Sequence, residues 1–129
     1  MLPLKNQFIF APVKLGYADK NGQVNHKHLN FYDARAAYLG AVIPEPLYLH
    51  SGLRELPTQL GIDSDDKIAG LKQLTDLLHK TDTKAIAHLN HPGRMANPKI
   101  PNNFFVSATN QSCENGGAVP KLMDESDMR

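Results

Sequence analysis

The sequence contains a single cysteine, Cys113, among its 129 residues. One thiol excludes an internal disulfide, and it excludes a zinc or iron–sulfur site built from several thiolates of this chain. The sequence also lacks an excess of either charge, because 14 Lys and Arg stand against 13 Asp and Glu and the formal net charge is +1. Nucleic-acid-binding domains are usually strongly basic, so no nucleic acid is expected among the partners.

Long apolar runs are missing as well. The longest, residues 39–43 and 47–49, cover only a few positions each and are separated by Pro44 and Pro46. A transmembrane helix needs about 20 apolar residues, so no membrane is expected among the partners. The first residues lack the basic stretch, apolar run and small-residue cleavage site of a secretory signal. We therefore expect a cytoplasmic protein.

What is present is the composition of an ordinary globular domain. Hydrophobic residues make up 41% of the chain and charged residues 21%, which is enough apolar content to bury a core. No internal repeat or low-complexity segment divides the sequence. The length fits one domain at most, residues 1–129.

The hydrophobic pattern predicts three short strands. Apolar runs bounded by turn residues place them at 7–11, 41–44 and 84–89. Pro44 and Pro46 are expected to end the second strand and to stop it from pairing further, since proline has no N–H to donate.

Two helices are predicted from apolar residues at three- and four-residue spacing. The first covers 25–37 with Asn25 as its N-cap, and the second covers 64–80 with Ser64 as its N-cap. The buried face of the second helix is expected to carry Ile68, Leu71, Leu74 and Leu78. Gly70 interrupts this helix at a cost of about 1 kcal/mol relative to alanine, which favours close packing at that point.

The order strand, helix, strand, helix, strand is typical of right-handed βαβ units in a parallel sheet. After His91 the composition predicts a long loop with a short strand near 104–106, and a further helix is expected to start near Asp124. Three strands are too few to close a barrel, which takes roughly 250 residues, and a doubly wound sheet needs about five strands. The sequence therefore predicts a piece of a larger α/β fold.

Several short motifs follow one another in a fixed order along the chain. They are Leu4-Lys5-Asn6, Ala11-Pro12, Asn21-Gly22, His28, Tyr32, Arg35-Ala36, Glu45, Leu60-Gly61-Ile62, Ser64-Asp65, the run from His88 to Arg94, Ser107-Ala108 and Pro120. In this order they resemble the N-terminal barrel segment of the Old Yellow Enzyme family of FMN-dependent NAD(P)H:flavin oxidoreductases. The resemblance implies a partial (β/α)8 TIM barrel, of which this chain supplies the first three βα units and which is incomplete alone.

The resemblance also implies a cofactor and a site. FMN would be reduced by NADH or NADPH and reoxidised by an activated alkene, a quinone or oxygen. The residues implied to contact the flavin are Ala11, Pro12, Val13 and Lys14 after the first strand, Pro46 beside the polar edge of the ring, and His88 where the family usually has a glutamine. The family's catalytic residues correspond to positions beyond Arg129, so no catalytic residue is assigned here and the chain alone is expected to be inactive.

Lys14 stands where the family commonly has threonine or cysteine, close to flavin N5 and O4. A cation there would stabilise the negative charge that arrives on the reduced ring. The alternative is a solvated lysine at a strand end.

Histidines and an arginine suggest further sites, each with a simpler alternative. His88 and His91 are three residues apart, and a strand points such residues to opposite faces, so no metal is expected and His91 would be a packed, hydrogen-bonded side chain. His26 and His28 are expected to be structural or solvent-exposed. Arg94 could contact an anion or form a salt bridge.

Two functions from different classes remain open. In the first, the chain is the N-terminal part of an FMN-dependent oxidoreductase, and the rest of the barrel comes from the same polypeptide or from a second chain. In the second, it is a non-catalytic barrel remnant that self-associates or binds a partner through its strand edges. Either reading requires cover for the apolar residues Val42, Ile43, Ile86 and Leu89.

Overall fold

The computed structural model describes residues 3–114 and 116–127. Short strands alternate with two helices along this part of the chain. The elements are β1 (Ile9–Phe10), α1 (His26–Ala36), β2 (Ala41–Val42), β3 (Leu47–Tyr48), α2 (Ile68–His79), β4 (Lys84–Ala85), β5 (Leu89–Asn90), β6 (Val106–Ser107) and β7 (Lys121–Leu122).

The strands are parallel, as the alternating pattern predicts. β2 lies between β1 and β4, with Ala41 opposite both Ile9 and Lys84. β3 follows β2 in the chain and β5 follows β4. β3 and β5 pair in parallel, with Leu47 opposite Leu89. The second predicted strand, 41–44, is therefore shortened to β2, with β3 lying beyond its predicted end, and the third, 84–89, is divided between β4 and β5.

The expectation that the two prolines stop further pairing is wrong. The chain resumes pairing directly after Pro46, where the Leu47 N–H donates to the His88 carbonyl at 2.8 Å. The N–H groups between β2 and β3 find other acceptors: Ile43 donates to the Phe10 carbonyl and Glu45 to the Tyr32 hydroxyl. Because every available donor in this stretch is satisfied, the prolines interrupt the strand without ending it.

Helix α1 begins as predicted, with Asn25 as its N-cap. The Lys27 N–H donates to Asn25 Oδ1 at 3.0 Å, and the Asn25 N–H donates to Nδ1 of His28 at 3.2 Å, which completes a capping box. The helix buries His28, Tyr32 and Ala36.

Helix α2 begins differently from the prediction. Ser64 does not cap it; its hydroxyl binds Asp66 instead, and a 3₁₀ turn at Asp65–Lys67 precedes the α-helix. Ile68 was expected on the buried face but is 59% exposed, at the first residue of the α-helix. The close packing expected at Gly70 is confirmed, since a Cβ there would lie 3.1 Å from Cβ of Val24.

The main core lies between the two helices and the first sheet. Its buried members are Tyr32, Ala36, Val42, Leu74 and Leu78. Val42, expected to need cover from outside, is fully buried here, whereas Ile86 and Leu89 remain 37% and 58% exposed.

Lys5 lies at the amino end of the sheet and links it to the end of α1. Its Nζ donates to the Ala37 carbonyl at the end of α1 and to Thr83 Oγ1, both at 3.1 Å. The Thr83 side chain is fully buried, and its hydroxyl donates to the Ala36 carbonyl. These contacts satisfy carbonyls that the end of α1 leaves without partners inside the helix.

The last third of the described chain is mostly loop, as predicted. The short strand expected near 104–106 is displaced slightly to β6, and it pairs in parallel with the unpredicted β7. The helix expected near Asp124 is not formed over the described residues, where 125–127 are a turn, and Met128 and Arg129 lie outside them. Within the described ranges no helix is long and apolar enough to cross a membrane.

Candidate functional site

The residues implied to contact a flavin lie on three neighbouring segments at the carboxyl ends of the strands. The segment 11–14 directly follows β1, which pairs with β2. Pro46 precedes β3, and the Leu47 N–H binds the carbonyl of His88 at the start of β5. In a parallel α/β fold, the carboxyl ends of the strands are where ligand sites form.

The exposure of these residues differs. Residues 11–14 are all exposed, His88 is half-buried and Pro46 is buried. The Pro46 carbonyl already accepts a hydrogen bond from Nε2 of Gln59 at 3.0 Å, and Gln59 is itself fully buried. Pro46 has no N–H, so it offers a flavin mainly its ring surface.

Lys14 is neither free nor fully solvated. Its Nζ lies 2.5 Å from Oε2 of Glu55, and the two side chains are 46% and 14% exposed. The pair lines a cavity of about 250 Å³ together with Arg94, Met95 and Cys113. The cavity therefore presents two cations and one carboxylate.

His88 and Asn90 carry buried polar atoms that need a partner. His88 Nδ1 and Asn90 Nδ2 form no hydrogen bond within the described part of the chain. The two residues are two positions apart along a strand, which places them on the same face of it. Buried polar atoms are nearly always hydrogen-bonded in a complete protein, so this face suits a polar ligand.

A buried network lies beneath the site. Nε2 of His28 and Oε1 of Glu45 are 2.9 Å apart, and both side chains are fully buried. Oε2 of the same carboxylate accepts from the Gly16 N–H at 3.4 Å. The Glu45 N–H donates to Tyr32 Oη at 2.9 Å. Burial raises the pKa of the Tyr32 hydroxyl to about 12, so it is protonated at neutral pH.

The remaining histidines and the arginine are accounted for individually. His91 is exposed rather than packed, and its Nδ1 accepts from the Gly93 N–H at 3.2 Å. Arg94 donates to the Ser112 carbonyl at 3.4 Å and has no salt bridge among the described residues. His26 is exposed and His28 is structural, as expected. Over 3–114 and 116–127, no group of three or more His, Cys, Asp or Glu side chains is placed to hold a metal ion.

Sequence reasoning missed the partners of the implied site residues. Asn90 could have been found, because strand periodicity places it on the face of His88. No sequence signal connects Glu55 with Lys14 or Gln59 with Pro46, since each contact depends on how the loop after β3 folds back.

Comparison with known proteins gives consistent results. The model of the NADH:flavin oxidoreductase / NADH oxidase family matches residues 1–128. The NADH:acrylate oxidoreductase of Vibrio harveyi is 41% identical over 97 residues, which are 75% of this chain and 10% of that protein. The NADPH dehydrogenase of Halalkalibacterium halodurans is 36% identical over 95 residues, which are 72% of this chain and 28% of that protein. The chain thus spans well under a third of either relative.

Solved structures show the same fold. The old yellow enzyme from Trypanosoma cruzi has a TM-score of 0.82 at 22% identity, with 96% of this chain and 40% of that chain covered. The homologue from Zymomonas mobilis has a TM-score of 0.83 at 21% identity, with 97% and 38% covered. These likenesses confirm a partial TIM barrel. The family match confirms FMN as the family's cofactor with a nicotinamide as its reductant, and because that match extends over nearly every residue, the chain belongs to the NADH:flavin oxidoreductase / NADH oxidase family.

Proposed function

We propose that this chain forms the N-terminal part of the FMN site of a cytoplasmic NAD(P)H oxidoreductase. FMN bound there would supply the transfer of a hydride from NADH or NADPH and of electrons to an activated alkene, a quinone or oxygen. The observation that carries the proposal is that His88 and Asn90, two positions apart at β5, have buried polar atoms without a partner among the described residues.

The residues present fit a flavin. The pyrimidine part of the ring carries carbonyl oxygens and ring nitrogens, and these match the donor and acceptor atoms of an imidazole and an amide. Pro46 adds apolar surface next to His88, and the exposed segment 11–14 adds backbone at the adjacent strand end. Lys14 brings a cation to the same rim, compensated by Glu55.

In this proposal the chain binds and orients the flavin. The groups that contact the substrate come from the remaining part of the barrel. His88 fixes the polar edge of the ring through Nδ1, and Asn90 binds a second polar atom of the cofactor or of the acceptor. Lys14 stabilises negative charge near the ring. The remaining strands of the barrel come from the same polypeptide or from a second chain.

An apolar groove supports the proposal that this chain packs against further barrel elements. It lies between α2 and the edge strand β4, has a volume of about 200 Å³, and is lined by Pro44, Leu47, Ile62, Leu71, Leu74, Leu78, Ala85 and Ile86 among others. Such a groove beside an unpaired strand edge favours burial against a further strand and helix.

The test is a titration of the purified chain, and of any polypeptide that copurifies with it, with FMN followed by flavin fluorescence. We expect a yellow preparation or saturable binding of added FMN. The His88→Leu change should raise the dissociation constant about tenfold, the equivalent of one hydrogen bond. His79→Leu, an exposed histidine at the end of α2, is the matched control and should leave it unchanged. A colourless protein that binds no FMN when the remaining strands of the barrel are supplied overturns the proposal.

The same groove favours a second candidate function, that of a non-catalytic module which self-associates. In that case sedimentation of the colourless protein shows a concentration-dependent dimer, and Ile86→Lys at the edge of the groove abolishes it. A compact monomer at high concentration counts against this candidate.

A further inference from the structure

The buried pair of His28 and Glu45 joins parts of the chain that are distant in sequence. Glu45 lies just after β2, His28 lies in the first turn of α1, and the Gly16 N–H that binds the same carboxylate lies in the loop after β1. A second contact supports that loop, because Nδ2 of Asn25 donates to the Tyr17 carbonyl. One side chain therefore connects a helix, a strand end and a loop.

The protons of this network have one arrangement. The Asn25 N–H donates to Nδ1 of His28, so Nδ1 must present a lone pair and the ring proton lies on Nε2. Nε2 therefore donates to Glu45, and the carboxylate accepts from both His28 and Gly16. A buried carboxylate is costly unless its oxygens are hydrogen-bonded, so displacement of either donor is unfavourable.

The His28–Glu45 pair lies next to both of the segments that the proposed function places along the flavin. Glu45 directly precedes Pro46, and Gly16 follows Lys14 by two residues. The carboxylate thus ties together the two segments that the proposed site places along the flavin, while its own oxygens are occupied by protein donors. We propose that His28 and Glu45 are positioning residues for the flavin site, which fix the segment 11–14 relative to Pro46 before the cofactor binds. This inference rests on the proposed function.

A purely stabilising role makes a different prediction from a positioning role. Thr83 is the matched comparison, because it is also fully buried and hydrogen-bonded but lies at the opposite end of the sheet. Thr83→Val removes the hydrogen bonds of the Thr83 hydroxyl to Ala36, Leu39 and Lys5 without touching the carboxyl ends of the strands. If binding is measured far below both melting temperatures, lost stability alone does not change FMN affinity.

The first measurement needs no variant and no flavin. The nitrogen chemical shifts of the His28 ring in the full chain should report the neutral ring with its proton on Nε2. A neutral ring with its proton on Nδ1 overturns the inference, since Nε2 then has no proton to donate to Glu45.

The second measurement compares Glu45→Gln with Thr83→Val. Gln keeps an oxygen for His28 but turns an NH₂ group toward the Gly16 N–H. We expect the FMN dissociation constant to rise at least tenfold in Glu45→Gln and less than twofold in Thr83→Val. Equal weakening in both variants, or none in Glu45→Gln, overturns the inference. If Glu45→Gln does not fold, His28→Asn replaces it, because Asn keeps an acceptor for Asn25 and removes the donor to Glu45.

Amide hydrogen exchange separates this inference from the proposed function. In the flavin-free chain, exchange at Gly16 should accelerate at least tenfold in Glu45→Gln relative to exchange at Ile86, whose N–H binds Val42 within the sheet. If FMN does not bind but this acceleration is seen, the proposed function fails and the coupling of the two segments stands. Unchanged exchange at Gly16 overturns the coupling as well.

Discussion

The ammonium group of Lys14 lies 2.5 Å from the carboxylate of Glu55, at the rim formed by the carboxyl ends of the strands. The lysine therefore brings its positive charge to the rim together with a compensating negative one. Removing either partner changes the net charge there in the opposite direction.

The first prediction concerns the potential of a bound flavin. Two unit charges about 4 Å apart interact by roughly 4 kcal/mol at an effective dielectric constant of 20, and exposure of Lys14 together with its pairing reduces this to about 1–2 kcal/mol. Lys14→Met should lower the two-electron midpoint potential by about 20–40 mV, since 30 mV corresponds to about 1.4 kcal/mol. Glu55→Gln should raise it. A potential unchanged by both substitutions would place the lysine charge away from the ring.

The second prediction concerns the amino end of the sheet. Lys5 donates to carbonyls at the end of α1 and to Thr83. Hydrogen bonds that involve a charged group contribute about 1.5–3 kcal/mol, so Lys5→Met should lower the free energy of unfolding in urea by about that amount. Lys72→Met removes an exposed ion pair with Asp76 on α2 and should cost less than about 1 kcal/mol. Equal losses in the two variants would contradict a special role for Lys5.

The third prediction concerns the contact of Gly61 with Tyr48. A Cβ at Gly61 would overlap the Tyr48 ring, and an isolated β-bridge joins the two residues. Gly61→Ala should therefore cost about 1–3 kcal/mol through overpacking. The same change in a Tyr48→Leu background should cost less, which a double-mutant cycle measures directly. An equal cost in both backgrounds would show that the ring is not what excludes the methyl group.

The fourth prediction is a loss of stability at alkaline pH. Burial raises the pKa of Tyr32 from 10.0 to about 12 in the folded chain. The fold therefore favours the protonated hydroxyl, and this contribution is complete below pH 10 and is lost as the pH rises toward 12. Between these values the native chain should lose up to about 3 kcal/mol more stability than Tyr32→Phe. Parallel unfolding profiles of the two proteins would contradict it.

The local pattern of the sequence predicted three of the strand regions and both helices because those elements depend on nearby residues, and the order of these elements predicted that the strands are parallel. Asn25 could be identified as a cap from its type and place, and Gly70 from its position within the apolar pattern. The start of α2 could not be placed to the residue, since the Ser64 hydroxyl has a competing acceptor in the carboxylate of Asp66. Where several short polar side chains lie close together, the sequence does not show which of them caps the helix.

The candidate site was predictable only in part. The resemblance implies His88 and Pro46 as contacts of a flavin, and these two residues lie on adjacent segments. It did not indicate that Glu45 binds His28, because their partnership depends on how the end of β2 lies against α1. The local spacing of residues does not predict contacts between residues that are far apart in sequence.

The contacts of Lys5 lie at the opposite end of the strands from Lys14, His88 and Asn90. This separation has a consequence for mutational tolerance. A library that randomises Val13, His88 and Asn90 leaves the amino-end contacts intact, so variants of the proposed flavin site can be selected with little loss of folded protein. Directed evolution of this chain is best confined to one rim.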